Sequence, residues 1–282
     1  MSDNIKLSTW RYRFDGIFNN IFVWVILFIF LVPYFYLILG SFKTPGDIQA
    51  YPPRFFSKFT FENYIKVFMD VNIIFYLKNS FIVAGLTTII SLFIALPAAY
   101  SFARFKFWGK DWIAYVLIAI LMAPIISLVY PFMTMANQLG LYDSHLGLIL
   151  FYLPWNVPFA VWMLRTFVSD VPKELEEAAL VDGCSRIGAF VRISIPLLVT
   201  GLFTTGVFIF IGAWNEFIIA FFLTSTNART LPTTIDFFLT YGSFQFAPMF
   251  AAGVIGTLPI VVCGLFVRRY YLVGQTAGAL KE

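Results

Sequence analysis

The chain has 282 residues, 60% of them hydrophobic and only 12% charged, with a formal net charge of +4 and a mean hydropathy of +0.83. Soluble domains carry about 25% charged residues, and this much apolar surface cannot be enclosed in one aqueous core without large exposed patches. Composition therefore excludes a soluble globular domain and makes lipid the solvent for most of the chain, while the small positive excess is a topology signal that needs no nucleic acid to explain it.

Six runs are long enough to cross a hydrocarbon core of about 30 Å, which takes roughly 20 helical residues. They lie near 20–41, 80–103, 112–133, 145–165, 198–223 and 247–268. The runs are continuous rather than alternating, so they read as helices, each satisfying its own backbone in lipid. The expectation is an all-α integral membrane protein with six transmembrane helices. Residues 1–41 form an N-terminal anchor and first span. The apolar stretch from Ile21 to Leu39 is long and no small-residue cleavage site follows it, so it reads as a retained span rather than a signal peptide. Trp10-Arg11-Tyr12-Arg13-Phe14 before it suits an interfacial anchor.

Residues 42–79 form the longest outside loop, broken by Pro45, Gly46, Pro52 and Pro53, with a short helix starting around Phe61-Glu62-Asn63-Tyr64. Residues 80–268 hold the other five spans, with tight second and third connections, a large polar fourth connection at 166–197 and a fifth at 224–246 mixing Thr, Asn, Gly and aromatics. Residues 269–282 form a tail. Placing the N-terminus inside puts thirteen of the 19 Lys and Arg in the cytoplasm, and only Lys43, Arg54, Lys58, Lys66, Lys78 and Arg229 outside. This asymmetry places both termini and the 166–197 loop in the cytoplasm. The 35 Phe read as lipid-facing and inter-helix packing. Cys184 falls on the cytoplasmic loop and Cys263 in the last span, so no structural disulfide is expected.

The cytoplasmic loop is a polar island in an apolar chain. Pro172 suits a first helical turn, and Lys173 to Val181 are good helix formers with acids early, as the helix dipole favours. Asp182-Gly183 is a stop signal, a second helix follows over 185–194, and Pro196 falls at the entry to the fifth span. Ala178 and Ala179 leave a flat face between acids, which fits a groove in another protein. The alternative is a helix lying on the membrane with Leu175, Ala178, Ala179 and Val181 against lipid, although that face is poorly apolar for an anchor.

The same residues resemble the EAA loop of ABC importer permeases: Glu177-Ala178-Ala179, three residues, Gly183, nine residues, then Ile193 and Ile195-Pro196. Asp182, Phe190 and Leu197 fit its extended form, as does Val171-Pro172-Lys173-Glu174-Leu175; Cys184 stands where the family more often has a small residue. Trp214-Asn215-Glu216-Phe217, Leu139 to Ser144 and the tail Val273 to Lys281 resemble the carbohydrate-uptake, maltose-type branch.

The resemblance implies a type I importer permease fold in a prokaryotic cytoplasmic (inner) membrane. It implies a coupling helix whose Glu177, Ala178, Ala179, Asp182, Gly183, Ile193 and Pro196 dock an ATPase, and a tail (Gln275, Thr276, Ala277, Gly278) reaching the ATPase dimer interface. The partners it implies are a second homologous permease, two ATPase subunits and an extracytoplasmic solute-binding protein delivering a carbohydrate. The chain itself lacks a G-x-x-x-x-G-K-[ST] phosphate cradle. It is therefore expected to be no enzyme and to hold no cofactor, with ATP and Mg on the partner ATPases.

Candidate pathway residues are few. Glu216 is the acid clearly inside a span, roughly 27 Å along the fifth helix at 1.5 Å per residue. It reads either as a gate or sugar acceptor beside Trp214 and Asn215, or as a structural hydrogen bond. Pro154-Trp155-Asn156-Val157-Pro158 kinks the fourth span. Broken helices line substrate sites in transporters, so Trp155 and Asn156 are candidates for a sugar face and hydroxyl, or Asn156 serves only the kink. Pro97, Pro124, Pro131 and Pro259 are further kinks, and the lone His145 reads as interfacial. A stand-alone secondary transporter would need its own ion site, for which Glu216 alone is thin support, and no nucleophile–base pair or metal cluster points to a membrane enzyme. The cargo stays open among mono- and oligosaccharides and glycerol phosphate esters.

Overall fold

The computed structural model describes residues 3–52, 54, 58–240 and 243–278, with side chains described over 21–52, 54, 58–239 and 244–266. The chain divides into two compact units: Met1–Val71 with Phe238–Ile255, and Asn72–Phe237 with Gly256–Glu282.

The first unit contains α1 (Asp3–Ser41), α2 (Pro45–Ile48), α3 (Glu62–Met69) and the start of a long helix described below. Ile21–Ser41 has a mean hydropathy of 2.7, and its most apolar 18-residue window buries nothing, as expected of a helix whose apolar surface is left for lipid. The helix is anchored at its last turn. Asn63 Nδ2 donates to the Ser41 and Lys43 carbonyls, both at 2.8 Å, and the Ser41 and Tyr64 hydroxyls meet at 2.8 Å. The Phe250 ring fills the place where a Cβ on Gly40 would stand. The backbone and ring pattern of α3 follow the expected helix start at Phe61-Glu62, and the anchor residues 10–14 lie in α1 with side chains outside the described residues.

The second unit carries α4 (Ile73–Arg104), α5 (Lys110–Met122), α6 (Ile125–Gln138), α7 (His145–Asp170), α8 (Lys173–Val181) and α9 (Arg186–Ala189). A π-helical turn (Phe190–Ser194), α10 (Ile195–Leu197), α11 (Val199–Trp214), α12 (Ile218–Leu223) and a 3₁₀ helix (Leu231–Phe238) follow. A ribbon of β1 (Leu239–Thr240) and β2 (Ser243–Phe244) precedes α13 (Phe246–Gly278), which passes from the first unit into the second. The core is built by three helices. Ala95, Ala99 and Phe102 of α4 pack with Ala160, Val161 and Leu164 of α7 and Ile209 of α11. Small residues let helix backbones approach closely, which is how helices associate when lipid removes the hydrophobic drive between them. Gly201 of α11 sits against the Phe167 ring of α7, where an added Cβ would come within 2.5 Å of the ring.

Among the described residues, four helices are long and apolar enough to cross a membrane, and two bent helix pairs bring the number to as many as six. Four sequence expectations change in detail. Helix α4 begins at Ile73, inside the stretch assigned to the first outside loop. Lys78 and Asn79 had ended the apolar run, but Asn79 is buried and donates to the Asn227 and Arg229 carbonyls at 3.0 and 2.9 Å.

The third run breaks at Ala123-Pro124, with a 94° bend between α5 and α6. The residue before proline is pushed to extended backbone, and Ala123 has ψ 124°. Each half, 13 and 14 residues long, extends only about 20 Å, too short to cross alone. The fifth run is interrupted at 215–217, between α11 and α12. The predicted helix over 185–194 divides into α9 and the π-helical turn, and the Arg186–Leu197 stretch then bends by 71° into α11.

Candidate functional site

The polar island at 166–197 folds as a capped helix held from behind. Helix α8 ends in a Schellman motif: the Cys184 N–H donates to the Ala179 carbonyl at 2.9 Å and the Gly183 N–H to the Leu180 carbonyl at 3.1 Å. Gly183 has φ +87°, a conformation that costs any residue with a Cβ. The Ser185 hydroxyl then caps α9, accepting from the Gly188 N–H at 3.1 Å.

The helix has two distinct faces. Glu177, Ala178, Asp182 and Gly183 are exposed, and Val181 is 88% exposed. Ala179, counted with these at the sequence level, instead packs inward at 7% exposure, one turn from the equally buried Glu176. Residues three apart share a helix face, so Ala179 belongs with Glu176 on the inner side. Ile193 is half-buried in the π-helical turn, and Pro196 is exposed in the first turn of α10. Of the alternative lipid-lying face, Leu175, Ala178 and Val181 are exposed, while Ala179 is turned inward.

Glu176 is the residue the sequence reading passed over. The Arg104 guanidinium at the end of α4 donates to its carboxylate through Nη2 at 2.9 Å and through Nε at 3.0 and 3.2 Å. The Tyr100 hydroxyl donates at 2.8 Å and the Ser194 hydroxyl at 2.9 Å. Arg104 Nη2 also donates to the Val171 carbonyl, 2.8 Å away, where α7 ends. The ion pair is nearly dry, with side-chain exposures of 6% for Arg104 and 9% for Glu176. Burial alone would push the Glu176 carboxyl up, but the hydrogen bonds from Arg104, Tyr100 and Ser194 outweigh it and hold the group below the ordinary glutamate value. Tyr100 packs on Phe190 with ring centroids 4.5 Å apart, and the Arg186 guanidinium lies 5.8 Å from the Phe105 ring. One buried carboxylate thus gathers the ends of α4 and α7, helix α8 and the π-helical turn.

The pathway candidates fare differently. Trp214 is 2% exposed, stacks on Phe210 at 5.6 Å, meets Phe81 edge-on at 4.8 Å and donates to the Gly256 carbonyl at 3.1 Å. It is packed rather than presented. Asn215 is exposed and closes α11. Glu216 sits in the break, where its two oxygens accept from the Ile219 and Ala220 N–H groups at 2.9 and 3.1 Å. The structural role therefore accounts for both of its oxygens. The buried Tyr152 hydroxyl faces the same carboxylate from α7 without meeting strict hydrogen-bond geometry.

Asn156 Nδ2 donates to the Tyr152 carbonyl at 2.8 Å, while its Oδ1 lies toward Gly212 of α11. The carbonyls freed by Pro154 and Pro158 belong to Leu150 and Pro154, so Asn156 does not serve the kink in the way expected. Trp155 meets Phe132 edge-on at 5.9 Å, and its ring N–H is buried without a partner. His145 bonds Asn79 at 2.9 Å. Cys184 and Cys263 are free. The backbone of Gln275 to Gly278 continues α13, and the side chains of these tail residues lie outside the described residues.

A second clasp closes the opposite end of the unit. Asp143, with φ 53°, accepts from the N–H groups of Ser225, Thr226, Asn227 and Ala228 at 3.0 to 3.2 Å. Burial would raise its carboxyl, but these backbone donors pull it well below the usual carboxylate range.

Solved structures share this architecture. A bacterial ABC transporter importing the acidic polysaccharide alginate superposes with a TM-score of 0.75 at 19% identity, over 92% of this chain and 97% of that one. Among characterised sequences, the trehalose/maltose transport system permease protein of Thermococcus litoralis is 37% identical over 89% of this chain and 91% of its own length. The diacetylchitobiose uptake system permease protein of Streptomyces coelicolor is 34% identical over 96% and 99%. The trehalose transport system permease protein of Mycobacterium tuberculosis is 36% identical over 80% and 83%. The family model described as "Binding-protein-dependent transport system inner membrane component" matches residues 91–272, which take in the core of α4, α7 and α11, helix α8 and its buried carboxylate. The chain belongs to that family, and is a multi-pass inner-membrane permease component of binding-protein-dependent transport.

Proposed function

We propose that this permease is one half of the translocation pathway of an ATP-driven carbohydrate importer, and that the exposed face of α8 is where the energy enters. The observation that carries this reading is the two-sided build of α8. Glu177, Ala178, Asp182 and Gly183 are offered to a partner, while Glu176 on the opposite face is held by three neighbouring side chains, Tyr100, Arg104 and Ser194. A helix that is exposed on one side and rigidly backed on the other can pass a push into the spans rather than absorb it. The saccharides named for the relatives, trehalose, maltose and diacetylchitobiose, support a mono- or oligosaccharide as cargo.

In this reading the N- and C-termini and α8 are cytoplasmic. Two ATPase subunits bind ATP and Mg and close beneath the membrane. A second homologous permease completes the pathway, and a solute-binding protein delivers the sugar from outside. The alginate importer has been crystallised with its oligosaccharide-bound periplasmic protein, which supports such a donor here. Gln275 to Gly278 would extend toward the ATPases. Asn156, whose Oδ1 lies toward Gly212, and the exposed Asn215 remain the pathway candidates with free polar atoms.

The test is purification of the assembled complex and reconstitution in vesicles. The ATPase subunits should come with the permease, saccharide uptake should require ATP and the binding protein, and Glu177→Arg should release the ATPases. Uptake that persists without ATPase subunits would overturn the reading in favour of a stand-alone transporter.

A further inference from the structure

Resting on the docking role of α8, we infer that the Arg104–Glu176 pair is the latch through which displacement of α8 is passed into α4. The chain itself connects α8 only to α7 and, through α9 and α10, to α11. It has no direct chain connection to α4, whose Arg104 stands 72 positions before Glu176 in sequence. Yet α4 supplies three of the seven buried side chains of the central core, and α8 touches it through a dry, bidentate contact.

The geometry suits transmission better than simple adhesion. Arg104 places Nε and Nη2 on the Glu176 carboxylate, a planar fork that resists rotation as well as separation. The same guanidinium holds the Val171 carbonyl at the end of α7, so the two spans flanking α8 share one cation. Ser194 completes the carboxylate at the end of the π-helical turn. An irregular turn of this kind is a point where a helix changes register, frequently at functional sites. Arg104 and Glu176 are positioning residues. They do not meet the cargo or ATP, and act by making α4 follow α8.

The whole complex with its ATPases tests this by hydrogen exchange, comparing the nucleotide-free state with the state trapped by ATP and orthovanadate. In wild type, trapping should change deuterium uptake both in α8 and over residues 98–105. In Glu176→Gln, and in the double variant R104M/E176L, which leaves no unpaired buried charge, α8 should still respond. The response over 98–105 should fall by about threefold or more. ATP hydrolysis should continue while its stimulation by the binding protein falls in parallel.

A purely structural pair would lower yield and melting temperature but leave α4 responding with α8. An undiminished 98–105 response in either variant overturns the latch. If neither variant assembles with its ATPases, the pair is a folding element and the latch is likewise overturned. An α8 that does not respond to trapping in wild type instead removes the docking role on which the latch rests.

Discussion

Removing one partner of the Arg104–Glu176 pair should destabilise the permease far more than removing both. In Arg104→Ala the Glu176 carboxylate loses three donor contacts and keeps only the Tyr100 and Ser194 hydroxyls, in a site where its side chain is 9% exposed. Stranding a buried charge in this way costs about 3–5 kcal/mol. Glu176→Gln leaves the guanidinium, 6% exposed, without its counter-charge at a similar cost, eased only by the Gln amide oxygen and the Val171 carbonyl. In R104M/E176L the cavity stays filled and no charge is stranded, so the net change should be within about 2 kcal/mol of wild type. The two single losses therefore cannot add. The assay is thermal unfolding of the detergent-solubilised permease, following the loss of monodisperse protein. Additive losses, or an Arg104→Ala protein within about 1 kcal/mol of wild type, would refute the reasoning, because the pair would then be screened by water rather than buried.

The same network has a pH signature. The folded Glu176 carboxyl is held below its ordinary value, so its contribution is complete above the unfolded value of about 4.3 and is lost as pH falls through the lowered folded value. Melting temperature should drop more steeply below about pH 4 in wild type than in R104M/E176L. Asp143→Ala removes the acceptor for the backbone of residues 225–228, and charge-assisted bonds of this kind are worth about 1.5–3 kcal/mol; limited proteolysis should then cut that loop first. Gly183→Ala meets no atom within 4 Å but must hold φ +87°, at about 1–2 kcal/mol. It should weaken co-purification of the ATPases without lowering expression, and an unchanged yield of complex would count against the importance of the α8 turn. Gly201→Ala would drive a Cβ into Phe167 at about 1–3 kcal/mol, and the companion substitution Phe167→Leu should restore expression.

What sequence made legible followed from strong, local signals. Runs of apolar residues marked the spans because lipid forces each helix to satisfy itself. Gly183 announced the end of α8 because few other residues take its backbone conformation. The breaks were partly legible, since Pro124 removes a donor and stiffens Ala123, but the interruption at 215–217 has no proline or glycine to mark it and depends on Glu216 capping α12. Glu176 was illegible for a different reason. Two adjacent acids on a helix differ only by about 100° of rotation, and which one turns inward depends on Arg104, 72 residues earlier. The packing of Trp214 was illegible because its edge-on contact with Phe81 and its bond to the Gly256 carbonyl come from α4 and α13, far away in sequence.

Helix α4, finally, is moored at both ends. Near its start, Asn79 and Ser80 hold the loop at 227–231; at its end, Arg104 holds α8. Asn79 and Arg104 stand about 38 Å apart along the axis, more than the thickness of the hydrocarbon core. A rod fastened at both ends cannot slide, so a tug at one mooring must appear as tilt at the other or as flexure in between. Pro97 is the only residue of α4 without a backbone N–H, which makes the stretch around it the natural place for that flexure, about 10 Å from the Arg104 end.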